Sequence, residues 1–208
     1  MLNLSQARLL RRSFFNRDPR EVGPQLLGRL IVRREKRRLL AGRIVEVEAY
    51  LGANDAAAHA AAGRTARNEV LWGPPGHAYV YFIYGVHYCL NVSCMPEGQA
   101  GCVLVRALEP VAGFTAMARA RRLEEFHATS VRDLRKLTSG PGRLTEALGI
   151  TRPRDNAKDV LSLRSNLQIL DDGFRPEQVR ISPRIGITKS AGMPLRYIVG
   201  ESPFLSRK

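Results

Sequence analysis

Two kinds of apolar spacing run along the chain. Residues 39–51 alternate in character, and residues 78–84 and 87–94 are apolar and aromatic runs around Tyr84-Gly85-Val86. The first predicts a long strand and the second a hairpin. Residues 31–34 and 101–108 add two strands, the second stopped by Pro110. Asp18-Pro19-Arg20-Glu21 combines a cap, an early Pro and an acid three residues after the cap, so it opens a helix. Val22, Leu26, Leu27 and Leu30 fall on one face of it, although Gly23-Pro24 weakens the pattern. Residues 111–126 predict a basic helix, and residues 133–150 predict helix around the break Ser139-Gly140-Pro141-Gly142. Residues 161–204 give short strands between Pro and Gly turns. Residues 52–76 are poor in bulky apolar side chains and predict a long surface loop, a usual carrier of function. Strands in runs without regular β-α alternation predict an α+β fold. Without repeat or linker the chain reads as one domain over residues 1–208, with residues 1–12 a loose basic start.

Composition narrows the function. Of 208 residues, 44% are hydrophobic and 25% charged, which excludes a disordered tail protein. Lys plus Arg is 33 against 19 acids, a net charge of +14. An excess of that size points to a polyanionic partner, nucleic acid first, with ribosome association or an anionic membrane surface behind it. Only Lys36, Lys136, Lys158, Lys189 and Lys208 are lysines. Arg suits bidentate phosphate contacts, though a GC-rich coding sequence produces the same bias. Cys89, Cys94 and Cys102 form neither a disulfide framework nor a zinc knuckle and read as reduced, packed thiols. The first residues lack the apolar core of a signal peptide, and the most apolar stretch, 78–92, is too short to span a bilayer. A cytoplasmic monomer is expected.

Three groups of residues could carry chemistry. Period-two spacing puts Ile44, Glu46, Glu48 and Tyr50 on one strand face. That face is either solvated, or it holds a carboxylate that activates water beside a ring that holds a flat substrate. His59 stands in the following loop as a surface or capping residue, or with Asp55 as half of a weak metal signal. In Tyr79-Val80-Tyr81-Phe82-Ile83-Tyr84, Tyr79 and Tyr81 share a face, and Tyr84 sits at the turn. Rings among arginines suggest stacking on bases, and a ring on a turn suggests a wedge. Asn91 and Arg106 lie on the next two strands. Arg106, among apolar neighbours, needs Glu109, another buried carboxylate or a phosphate.

Several runs together carry a resemblance: GRIVEVEAYLG (42–52), GRTARN (63–68), GPPGHAYVYFIYGVHYCLNV (73–92) and CVLVRALEP (102–110), with Phe14-Phe15, SGP (139–141) and PLRYIVGESPF (194–204). They resemble the alkyladenine, or 3-methyladenine, DNA glycosylase family over nearly the whole chain. The resemblance implies a single domain with a curved, mainly antiparallel sheet flanked by helices. It implies base excision repair: removal of 3-methyladenine, 7-methylguanine, hypoxanthine and ethenoadenine from double-stranded DNA by base flipping. Glu48 matches the base that activates water, and Arg106 the residue near the target phosphate and that water. Tyr50, His59 and Tyr81 match the rings that hold the flipped base, and the His59 amide a selectivity donor. Asn91 matches the amide that disfavours guanine, and Tyr84 the residue that fills the gap in the duplex. Ala56, Ala66, Trp72 and Val86 depart from the family's usual Pro, Pro, Phe and Met, which bears on loop rigidity and lesion preference. No Lys lies between Lys36 and Lys136, so a Schiff base is not expected, and neither is a metal or cofactor. Two rival readings are a non-catalytic nucleic-acid binder and a metal-dependent nuclease using Glu46, Glu48, Asp55 and His59. Gly140-Pro141-Gly142 between helices is similar to a phosphate clamp. The role of Glu46 is left open.

Overall fold

A computed structural model describes residues 6–36 and 38–207. In chain order the elements are β1 (Arg8–Leu9), α1 (Arg12–Phe15), α2 (Pro19–Leu26), β2 (Leu30–Glu35), β3 (Arg38–Tyr50), β4 (Ala78–Ile83), β5 (His87–Ser93), β6 (Cys102–Ala112), α3 (Phe114–Ala120), α4 (Val131–Thr138), α5 (Pro141–Ala147), α6 (Arg152–Asp155), β7 (Leu167–Asp171), β8 (Val179–Ser182) and β9 (Arg196–Val199). One antiparallel sheet of nine strands runs β1-β7-β2-β3-β6-β5-β4, with β9 on β3 and β8 outside β9. The fold is the expected α+β class. Of the basic start, Arg8–Leu9 pairs with β7, and residues 1–5 lie outside the described residues.

β3 organises the sheet. One edge pairs with β6 along most of its length; the other pairs first with β2 and then, at Glu46–Glu48, with β9. The main core lies between the sheet and the helices, where Ile44, Val47, Ala49, Val80, Leu90, Val103 and Val105 meet Val22, Leu26, Met117, Leu137 and Leu144. Asp18 caps α2 by accepting from the Arg20 amide at 2.8 Å, as the sequence predicts. Leu30, read as part of that helix face, instead opens β2.

Two expectations need correction. Ile44 does not share a face with Glu46 and Glu48. The β3–β6 register shifts on both sides of Glu46, and this irregularity turns Ile44 into the main core. The strand 101–108 does not stop at Pro110, and no helix begins at residue 111. β6 runs on to Ala112, with Pro110 opposite Gly42 at another register shift, where a missing N–H is tolerated. The helix is correspondingly short and ends before Arg122, which adopts a left-handed conformation.

Candidate active site

Pairing brings the candidates into register. Tyr79 on β4 opposes Asn91, Asn91 opposes Leu104, Leu104 opposes Glu48, and Glu48 opposes Arg196. Residues opposed across a sheet share a face, so one row of four pairings spans five strands. Two residues along β4 and β3, Tyr81 and Tyr50 continue the same faces.

The predicted loop 52–76 folds over this row as three short 3₁₀ turns, Gly52–Asn54, His59–Ala62 and Glu69–Trp72. Only glycine fits at residue 52: a Cβ there would lie 1.9 Å from the Ala100 carbonyl oxygen. Asn68 donates to the carbonyls of His59 and Gly63 at 3.0 and 2.9 Å and so holds the second turn. A cavity of about 140 Å³ results, lined by Tyr50, His59, Tyr79, Tyr81, Asn91 and Ile187 among others. An apolar cavity of about 150 Å³ can hold a benzene ring, so a flat ring is a suitable occupant, with the open side taking up any excess.

The cavity walls are aromatic. His59 and Tyr81 have ring centroids 4.4 Å apart, and His59 Nδ1 shares a 2.8 Å hydrogen bond with the Tyr79 hydroxyl. Burial first, and Arg67 second, push the His59 pKa down, so the ring is neutral at neutral pH. Burial raises the Tyr79 hydroxyl to about 12. On the other wall, the Arg184 guanidinium lies 4.6 Å from the Tyr50 ring centroid. Arg184 and Asp55 form a fully buried ion pair, with Nη2 donating to Oδ1 at 2.8 Å, and Arg184 Nη1 donates to the Ala49 carbonyl at 3.0 Å. Asp55 also accepts from the amides of Leu51 and Ala57, which fixes the chain leading to His59. Asn91 is buried and donates to the Tyr79 carbonyl at 3.1 Å.

Tyr50, Tyr81 and Ile187 also line an adjoining groove of about 380 Å³, with Tyr84, Arg106, Gly140, Gly142, Arg143 and Ile185. Neither Glu46 nor Glu48 is solvated: both are fully buried. Glu46 is saturated. Its Oε1 accepts from Arg106 Nε, Arg196 Nε and Ser206 Oγ at 2.9, 2.9 and 2.8 Å, and its Oε2 from the Ser206 amide at 2.6 Å. Glu48 Oε1 accepts from the Ile185 amide at 2.7 Å and lies 3.1 Å from Arg106 Nη1; Oε2 accepts from the Tyr50 hydroxyl at 3.0 Å. All three partners of Glu48 line the groove. Burial acts to lower the Arg106 pKa, but Glu48 and Glu46 outweigh it and leave it raised.

Tyr84 stands apart from these contacts. It is 79% exposed at the hairpin tip, in the left-handed region at φ 55° beside Gly85. A bulky residue there is strained, and nothing in the fold buries the ring in return. Ser139, Gly140, Pro141 and Gly142 line this groove. Gly142 is required there, because a Cβ would come within 2.8 Å of the His87 ring.

The nuclease set is not assembled. Among the described residues no three His, Cys, Asp or Glu side chains are grouped to hold a metal, and Glu46, Glu48 and Asp55 each face an arginine. Sequence reasoning passed over Tyr79 as a partner for His59, Arg184 as a partner for Asp55 and Tyr50, and Arg196 as a partner for Glu46. The first was visible as a ring sharing a face with Tyr81. The other two lie far along the chain and have no local signal.

Comparison with known proteins shows the family. The model of the methylpurine-DNA glycosylase family matches residues 13–203. A protein of Koribacter versatilis (strain Ellin345), provisionally named a 3-methyladenine DNA glycosylase, is 64% identical over 99% of this chain and 97% of its own. Proteins with the same provisional name from Burkholderia cenocepacia (strain HI2424) and Methanoculleus marisnigri (strain ATCC 35101 / DSM 1498 / JR1) are 45% and 47% identical, each over 94% of this chain and 89% and 97% of their own. With a family match across most of its length and a relative this close, the chain belongs to the methylpurine-DNA glycosylase family, DNA-repair hydrolases that act on N-glycosyl bonds.

Proposed function

We propose that the protein extrudes damaged purines from double-stranded DNA into the aromatic cavity and hydrolyses the N-glycosidic bond with a water activated by Glu48, leaving an intact abasic site. The observation that carries this reading is that buried Glu48 binds Tyr50, which lines both the ring-sized aromatic cavity and the adjoining groove, and Arg106 and Ile185, which line the groove.

Each residue then has a physical task. Extruding a base costs roughly a few kcal/mol, and stacking on aromatic faces recovers about 1–3 kcal/mol per base. Tyr50, His59 and Tyr81 supply those faces. Tyr84 enters the space that the base leaves. Asn91 selects against guanine through its exocyclic amine. 3-Methyladenine and 7-methylguanine carry positive charge, which electron-rich rings favour and which makes the base a good leaving group. The demanding step is placing a water at the sugar carbon and taking its proton, a task for one carboxylate. Glu46 is held by Arg106, Arg196 and Ser206 and binds no residue of the aromatic cavity, whereas Glu48 binds Tyr50, which lines both cavity and groove. Glu48 Oε2 accepts only from the Tyr50 hydroxyl, at the junction of cavity and groove, and it is the oxygen we assign to the water. Hypoxanthine and ethenoadenine, being neutral, are released more slowly than the alkylated bases.

The test uses short duplexes carrying one hypoxanthine or one ethenoadenine, with undamaged DNA as control, in excess chelator. Lesion-dependent release of free base, with alkali-sensitive strands, is expected. No release from these or from methylated DNA would contradict the proposal, and release that required a metal would favour the nuclease chemistry.

A further inference from the structure

Residues 204–207 are built into the site wall although they lie far from it in sequence. Phe204 and Leu205 are buried against Val45 and Ala107, which flank the catalytic strand pair. Ser206 is held twice by Glu46, through its amide at 2.6 Å and its hydroxyl at 2.8 Å. The Arg207 carbonyl accepts from Arg196 Nη2 at 2.9 Å, and Arg196 is itself bound to Glu46. One buried carboxylate thus fixes Arg106, Arg196 and this segment together. Ser206 and Arg207 line the groove with Arg106 and Arg143. Arg106 is taken up by Glu46 and Glu48. Arg143 and Arg207 are exposed, and among the described residues neither has a carboxylate within salt-bridge distance. Two free guanidiniums on the wall of a groove that leads to a ring-sized cavity suit a bidentate anion.

We propose that Arg207, presented by the Glu46–Ser206 clasp and working beside Arg143, binds a backbone phosphate of the strand whose nucleotide enters the cavity. Glu46 and Ser206 are positioning residues in this arrangement. The inference rests on the glycosylase reading above and names the anion that this groove takes.

The experiment is equilibrium binding to a hypoxanthine duplex across a salt series, comparing wild type, Arg207→Ala, Arg207→Lys, Ser206→Pro and the double variant Arg207→Ala with Ser206→Pro. Each phosphate contact contributes about 0.9 to the slope of log affinity against log salt. Arg207→Ala is expected to lower that slope by about one contact and the affinity several-fold, while Arg207→Lys keeps the slope. Ser206→Pro removes both donors to Glu46 and should give the same loss, with no further loss in the double variant. A wild-type slope in Arg207→Ala would overturn the phosphate contact, and additive losses in the double variant would overturn the clasp. Arg207 is exposed, so its substitution tests the contact whatever Ser206→Pro does to folding. Binding slopes are obtained whether or not base is released, so release by wild type in the same samples tests the glycosylase reading separately.

Discussion

Glu46 and Glu48 show how two equal side chains acquire different tasks from their surroundings. They are two positions apart and equally buried, yet one is held by Arg106, Arg196 and Ser206 while the other binds Tyr50, which lines both cavity and groove. Alternation alone could not separate them, because it puts both on one face; their different partners, Arg196 and Ser206 for Glu46 and Tyr50 and Ile185 for Glu48, separate them. Tyr50, Tyr81 and Asn91 were legible, since they keep the ordinary period of their strands. Tyr84 was legible as a turn residue, and the structure adds its exposure and left-handed backbone. A Tyr84→Ala variant is expected to release base at least ten-fold more slowly while binding undamaged DNA nearly as well as wild type. Single-turnover release and a binding titration check this, and equal loss in both would contradict the wedge.

At the scale of elements, the sheet is held to its surroundings by buried arginine–carboxylate pairs. Arg33 on β2 and Asp155 on α6 are both fully buried, with Nη2 donating to Oδ2 at 2.7 Å, and Lys158 adds a second cation at 2.8 Å. Removing one partner strands a charge, so Asp155→Asn should cost about 3–5 kcal/mol in denaturant unfolding. The pair also sets a pH dependence. Burial works to raise the Asp155 pKa, but Arg33 and Lys158 outweigh it and hold it below the ordinary 3.8. A lowered carboxyl pKa contributes stability that is present above pH 3.8 and lost as pH falls through the native value. Wild type should therefore lose stability below about pH 4, with Asp155→Asn showing a shallower fall; identical slopes would contradict this. Arg33–Asp155, Arg184–Asp55 and Arg196–Glu46 each join residues more than a hundred positions apart, so the sequence could display the charges but not their partners. The hairpin 78–94 and the α2 cap were readable because their signals are local. The end of β6 was not, because a proline that ordinarily stops a strand is accommodated at a register shift.

For the whole molecule, the charge of +14 is spread over buried and exposed arginines, and the exposed ones offer most of the surface available to DNA. Arg33, Arg106, Arg184 and Arg196 serve the fold and the site from within, which the net charge alone could not reveal. The exposed remainder should still make binding fall steeply with salt, since contacts to several phosphates release several counterions. A titration between 50 and 200 mM salt, with loss of about a thousand-fold or more in affinity, would agree; a flat response would contradict an arginine-lined surface. The central claim concerns a single carboxylate, and the measurement that tests it most directly compares wild type with Glu48→Gln on one hypoxanthine duplex. Glu48→Gln should bind the damaged duplex at least as tightly as wild type and release no base. Release at the wild-type rate would contradict the account and require the water to be activated by another group.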